Sequence, residues 1–93
     1  MKFEWDEKKN RANFQKHQVW FEEAQTVWVD MNSVEFYDPD HSDEEERFIR
    51  MGHSTSERLL LVVFCERSEG NIVRIISARK ATKNERSQYE EGI

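Results

Sequence analysis

Leu59-Leu60-Leu61-Val62-Val63-Phe64, the turn-forming Ser68-Glu69-Gly70-Asn71, and then Ile72-Val73-Arg74-Ile75-Ile76-Ser77 form the stretch on which the fold depends. The first run is apolar at every position. A strand that is apolar at both parities has both faces buried, so Leu59–Phe64 reads as a central strand. The turn residues then reverse the chain, and Ile72–Ser77 pairs back as the next strand. Working outward toward the N-terminus, Arg47-Phe48-Ile49-Arg50-Met51 is a further strand, ended at Gly52. Val34–Tyr37 alternates and reads as another, broken by Asp38-Pro39-Asp40 because proline cannot donate to a ladder and aspartate favours turns.

The flanks read as helices. Asp6 is a good N-cap for a helix running to about Lys16, after a short strand at Phe3-Glu4-Trp5. Phe21, Ala24, Val27 and Trp28 fall on one face at helical spacing and predict a second helix from Phe21 to Trp28. Thr82-Lys83-Asn84-Glu85 is a capping box that opens a last helix to about Glu91. The order β-α-α-β-β-β-β-α predicts a single α+β domain over residues 1–93. Short turns between strands predict an antiparallel sheet with the helices packed on one face, leaving the other relatively open. By strand parity Arg50 points away from Arg47 and Ile49. On the last strand Val73, Ile75, Ser77 and Arg79 share one parity, and Ile72, Arg74 and Ile76 the other. Arginines are thereby expected at the ends of the sheet and on its less buried side.

The composition fits one small domain. The 93 residues are 37% hydrophobic, 35% charged and 12% aromatic, with three Trp and six Phe that each bury a large area. A chain of this length buries only about 60–65% of its unfolded surface, so the core must be modest. The single cysteine, Cys65, cannot form an internal disulfide and sits in an apolar run, which predicts a buried small hydrophobe. No stretch approaches the roughly 20 apolar residues of a membrane span. Met1-Lys2-Phe3-Glu4-Trp5-Asp6 lacks the apolar core of a signal peptide, so a cytoplasmic protein without a membrane partner is expected. The net charge of −5 disfavours a nucleic-acid partner at first sight. Its distribution softens this. Residues 1–20 carry five basic and three acidic groups, residues 21–46 ten acidic and no basic ones, and residues 47–93 nine basic and six acidic ones. An acidic middle between two mildly basic segments permits a basic groove, because the local field matters more than the total.

The residues also carry a family pattern. Trp5-Asp6, Lys9, Asn13, Lys16-His17, Val19, Phe21-Glu22-Glu23-Ala24 and Asp30 resemble the N-terminal half of BrnT-type toxins. His41, Glu46-Arg47, Gly52, Arg58, Ile75-Ile76-Ser77-Ala78-Arg79, and Glu85-Arg86 with Tyr89 resemble the remainder, in the right order and over nearly the whole chain. The resemblance implies a RelE-like ribonuclease fold and a toxin that cleaves RNA and inhibits translation. It also implies a BrnA-like ribbon-helix-helix antitoxin that neutralises the toxin in a hetero-oligomer. Two positions depart from the pattern: Gln18 stands where the family usually has glycine, and Trp20 where it usually has a small polar residue.

Metal-independent RNA cleavage requires deprotonation of a 2′-hydroxyl, stabilisation of a pentavalent phosphate and protonation of the leaving 5′-oxygen. Arg47, Arg58 and Arg79 suit the second task, since a planar guanidinium grips two phosphate oxygens. Glu46 is a candidate base, against its place in the solvated run Asp43-Glu44-Glu45-Glu46. His17 and His41 titrate near working pH as a general acid should, although a helix-end or turn contact is the plainer role for each. Tyr89 projects from the last helix, where RelE-like toxins often use an aromatic, and ordinary helix packing explains it too.

No cofactor is expected. Asp38, Asp40, His41 and His53 offer metal-ligating side chains, but their spacing matches no established template, so no metal site is expected either. The chain has no Gly-rich phosphate loop, nucleophile elbow or Cys/His zinc pattern. The competing function is a non-catalytic protein-binding module of an operon-regulating complex, its acidic middle docking a basic protein. A repressor in its own right is weaker, because the chain lacks a basic recognition helix and its net charge opposes duplex binding.

Overall fold

The computed structural model describes residues 1–39 and 45–92, and its elements follow the order read from the sequence. They are β1 (Lys2–Glu4), α1 (Glu7–His17), α2 (Phe21–Ala24), β2 (Val34–Asp38), β3 (Arg47–His53), β4 (Leu59–Arg67), β5 (Ile72–Lys80) and α3 (Lys83–Glu90). The second helix is a single α-turn that tightens into a 3-10 turn over Gln25–Val29, not one continuous helix to Trp28.

The helix boundaries have local causes. The Asp6 carboxylate accepts from Lys8 N at 2.8 Å and Lys9 N at 3.3 Å, and these two amides hold it below the usual carboxylate range. Thr82 and Glu85 form the reciprocal capping box expected at α3. At the end of α1, Gln18 adopts the left-handed conformation (φ 61°, ψ 32°) and its N–H closes on Phe14 O. The glutamine therefore occupies the glycine-favouring cap geometry. Trp20, the other departure from the family pattern, lies flat on Phe14, with centroids 4.2 Å apart and an interplanar angle of 11°.

The sheet runs β1-β5-β4-β3-β2, with β4 at its centre. It is mixed, which corrects the antiparallel expectation. The hairpins β2–β3, β3–β4 and β4–β5 are antiparallel, but β1 joins the far edge parallel to β5, Phe3 opposite Val73. Two helices intervene between β1 and the rest, so no turn constrains its direction.

A β-bulge between Val63 and Phe64 makes a second correction. Arg79 pairs with Leu61 and Ser77 with Val63, whereas Ile75 pairs with Phe64 and Val73 with Glu66. The extra residue reverses the parity of β5 along its length. Val73, Ile75 and Ala78 join Leu60, Val62 and Phe64 in the main core, beneath Val19, Phe21, Ala24 and Val27. Ser77 and Arg79 turn to the opposite face. Arg79 lies within β5, which runs on to Lys80, past the Ser77 end read from the sequence.

Two buried asparagines bind the helical layer to this core. Asn13 Nδ2 donates to Val19 O (2.9 Å) and Ala78 O (2.8 Å), and its Oδ1 accepts from Ala78 N (3.1 Å). Asn10 Oδ1 accepts from Phe21 N at 2.7 Å, fixing the start of α2. The helices do not all share one face. Tyr89 of α3 and Ala81 before it pack on Met51, Leu59 and Leu61, on the side opposite α1 and α2. Cys65 is buried, as its apolar context indicated, and burial pushes its thiol up.

Candidate active site

The face of the sheet opposite α1 and α2 is covered by α3 at one end and left partly open beyond it. Register defines its rows. Val34, Met51, Leu61 and Arg79 form the row at the edge of α3, and Phe36, Ile49, Val63 and Ser77 form the next. Asp38 and Arg47 begin the one after that. Arg79 and Arg47 thus lie on the same face, four residues along and two strands across. That separation is roughly 16 Å between Cα atoms.

Arg79 offers its guanidinium to this face, with its side chain 41% exposed. It is held by Glu85 of α3 in a two-point pair, Nη1 to Oε1 at 2.8 Å and Nη2 to Oε2 at 2.9 Å. The pair raises Arg79 and draws the Glu85 carboxyl down to about 2. A carboxylate gripped in this way occupies the fork a phosphate would use.

The other arginines have different surroundings. Arg58 faces the helical layer. Its Nε donates to Glu23 Oε2 at 2.9 Å, its Nη2 to Glu23 Oε1, and the same Nη2 to Gln18 O at 3.0 Å. Ser54 Oγ donates to the same Glu23 carboxylate at 2.7 Å, and with Arg58 keeps it below its usual range. Arg58 therefore clasps the start of β4 to α2. Arg50, also on the covered side, lies 4.9 Å over the Trp28 ring and donates to Ser33 Oγ and Glu35 Oε1, both at 2.8 Å. Arg74 pairs with Glu4 at 2.9 Å.

The remaining candidates are dispersed. Glu46 is exposed immediately before β3, adjacent to Arg47. His17 ends α1 beside Gln18, in the layer on the covered side. His41 and Asp40 lie outside the described residues. Asp38 and His53 stand at opposite ends of β3, since Asp38 pairs with Arg47. Roughly 20 Å of strand separates them, so they cannot share a metal ion. Among the described residues no group of three or more His, Cys, Asp or Glu side chains is arranged to hold one.

Tyr89 reaches a constellation that sequence reading did not assemble. Its hydroxyl donates to Asp30 Oδ2 at 2.9 Å, an atom that also accepts from His53 N at 2.8 Å. The His53 ring meets Tyr89 edge-on at 5.5 Å, with Nδ1 3.7 Å from Asp30 Oδ2. Burial and the bond to Asp30 push the phenol up to about 12. Burial works to raise Asp30 as well, but hydrogen bonds from His53, Asn32 and Tyr89 leave its carboxyl below the usual range. Gly52 makes the approach possible. A Cβ there would lie 2.6 Å from Ser33 Cβ and 3.1 Å from Asp30 Oδ2, so any larger residue would force the Asp30 loop away. Asp30, Gly52 and Tyr89 are all residues of the family pattern, and that pattern was the only sequence signal joining them.

A search of curated proteins gave no match. Among solved structures, the fold is similar to that of the Brucella abortus ribonuclease toxin BrnT, with a TM-score of 0.65 and 24% identity. The alignment covers 89% of this chain and 99% of that one, a likeness of fold. Residues 5–85 match the family described as the ribonuclease toxin BrnT of type II toxin–antitoxin systems. The chain belongs to the BrnT family of ribonuclease toxins.

Proposed function

We propose that this protein is a RelE-like, metal-independent endoribonuclease toxin that cleaves cytoplasmic RNA and so inhibits translation. A BrnA-like ribbon-helix-helix antitoxin neutralises it in a hetero-oligomer. The observation that carries the reading is the part-exposed Arg79 guanidinium on the open sheet face, held by a carboxylate in the two-point geometry that a phosphate can take over.

In this reading the 2′-oxygen attacks the adjacent phosphorus and loses its proton to a base; Glu46, beside Arg47 and roughly 16 Å or more from Arg79, is not assigned that step. Arg79 stabilises the charge that accumulates on the phosphoryl oxygens. The 5′-oxygen leaves with a proton, and a 2′,3′-cyclic phosphate remains. Arg47 holds a neighbouring phosphate. Arg58, committed to Glu23, and Tyr89, committed to Asp30, position the strands and α3 around the site. His17 is left on the helical side, as a helix-end residue.

The test is cleavage of RNA by purified Arg79→Ala. Loss of a preorganised charge donor costs about 10²-fold or more in rate. Arg79→Lys recovers only part of it, because an ammonium keeps the charge and loses the two-point grip. Melting curves must show that both variants fold, and wild-type cleavage is expected to persist in EDTA. Wild-type cleavage by Arg79→Ala, or activity abolished by chelation and restored by a divalent ion, would overturn the mechanism. Normal growth of cells expressing the soluble protein alone would favour a non-catalytic binding module.

A further inference from the structure

The row Phe36–Ile49–Val63–Ser77 runs across four strands of the open face between the Arg79 row and the Arg47 row. Its outermost member is a phenylalanine on an edge strand, 39% exposed, while its neighbour Tyr37 turns to the other side and meets Phe48 edge-on. Ile49 and Val63 are half-buried, and Ser77 brings a hydroxyl to the far end.

We infer that this row is a nucleobase platform, on which the Phe36 ring stacks an unpaired base of the RNA while Arg79 and Arg47 hold the phosphates to either side. The inference rests on the ribonuclease reading and adds to it a site that selects unpaired nucleotides. Size and charge favour this occupant. The strip spans three strand spacings, roughly 14 Å, and is one side-chain row wide, about 7 Å. That is on the order of 100 Å², whereas a stable protein interface takes about 800 Å² from each partner. A base has a π-face for the ring, and its own backbone supplies the anions that the arginines require. Paired bases present no such face, so the platform takes single strands.

The probe is a short single-stranded RNA carrying 2′-O-methyl groups throughout, which cannot be cleaved, with binding read by fluorescence anisotropy. Removal of one base-stacking ring weakens binding roughly 5- to 100-fold, the loss expected for Phe36→Ala. Phe36→Leu keeps apolar volume without a ring and is expected to lose about as much, whereas Phe36→Trp is expected to bind at least as tightly as wild type. With an abasic RNA, wild type and Phe36→Ala should bind alike. Wild-type affinity in Phe36→Ala or Phe36→Leu overturns the platform. So does a Phe36→Ala protein that binds RNA normally but loses its co-purifying protein partner. Cleavage of unmodified RNA separates the two levels. A wild-type protein that neither binds nor cleaves RNA sinks the ribonuclease reading and this inference together. Wild-type cleavage with unchanged KM in Phe36→Ala sinks the platform alone.

Discussion

On the face of the sheet beneath α1 and α2, Leu60, Val62 and Phe64 are sealed from solvent, and Asn13 satisfies the backbone of Ala78 from above. On the other face Val63 is only half-buried, Phe36 is exposed, and Arg79 is held by a single carboxylate at the surface. Adjacent residues of one strand thus belong to two regimes. The covered face is organised for stability, with aromatic contacts such as Trp28 on Phe64 at 4.9 Å and buried asparagine amides bonded to the backbone. The open face keeps its guanidinium in a pair that solvent and ligands can reach. A small domain has little stability to spare, so packing one face throughout and the other only under α3 leaves the rest of that second face for chemistry.

The largest expected effect tests that division directly. Phe64→Ala should cost about 3–5 kcal/mol and approach global unfolding at 37 °C, because the cavity lies beneath α2 and Trp28. Val63→Ala, one residue away and half-buried, should cost about 1 kcal/mol. Denaturant melts compare the two at once, and equal losses would show that both faces support the fold alike.

The sequence carried the element order because its signals there are local. The apolar run of β4, the Ser68–Asn71 turn and the Thr82–Glu85 capping box each involve neighbours within a few residues, and each appears where expected. It did not carry the direction of β1, whose three residues have no turn to tie them to β5. Nor did it carry the bulge, which is a mismatch between two strands and a property of neither alone. The bulge matters for the site, since without it Arg79 would share a face with Val73 and Ile75. The arginine candidates were legible as residue types. What each guanidinium faces was not, because Glu23 lies 35 residues from Arg58, and Asp30 lies 59 from Tyr89. Only the Arg79–Glu85 pair, six residues apart, was within reach of local reasoning.

A smaller effect concerns the covered side alone. Gln18 holds a left-handed conformation that disfavours a Cβ by about 1–2 kcal/mol. Gln18→Gly relieves that strain but gives the unfolded chain more freedom. The net expectation is stabilisation by about 0.5–1 kcal/mol, a rise in Tm of a few degrees, with RNA cleavage unchanged. An altered cleavage rate in this variant would mean that the α1 end and Arg58, which donates to Gln18 O, communicate with the open face.

The smallest effect belongs to the open face and is read through pH. Glu85 titrates at about 2 in the folded protein against an ordinary value of 4.5, chiefly because Arg79 hydrogen-bonds its charged form. A depressed carboxylate stabilises the fold fully above its unfolded pKa, and the contribution disappears as pH falls through the folded value. With Arg79 41% exposed, solvent screens the pair, and about 0.2–1 kcal/mol is expected of it. Glu85→Gln removes the charge and keeps an oxygen to accept from Thr82 N, so the cap of α3 survives. The wild type should therefore melt about 1–8 °C above Glu85→Gln at neutral pH. The gap should hold down to about pH 4.5, narrow below it and close near pH 2. Arg79 stays protonated throughout this range and the other carboxylates are common to both proteins, so the difference reports Glu85 alone. A gap that is constant across the range would show that shape, and not charge, joins α3 to Arg79.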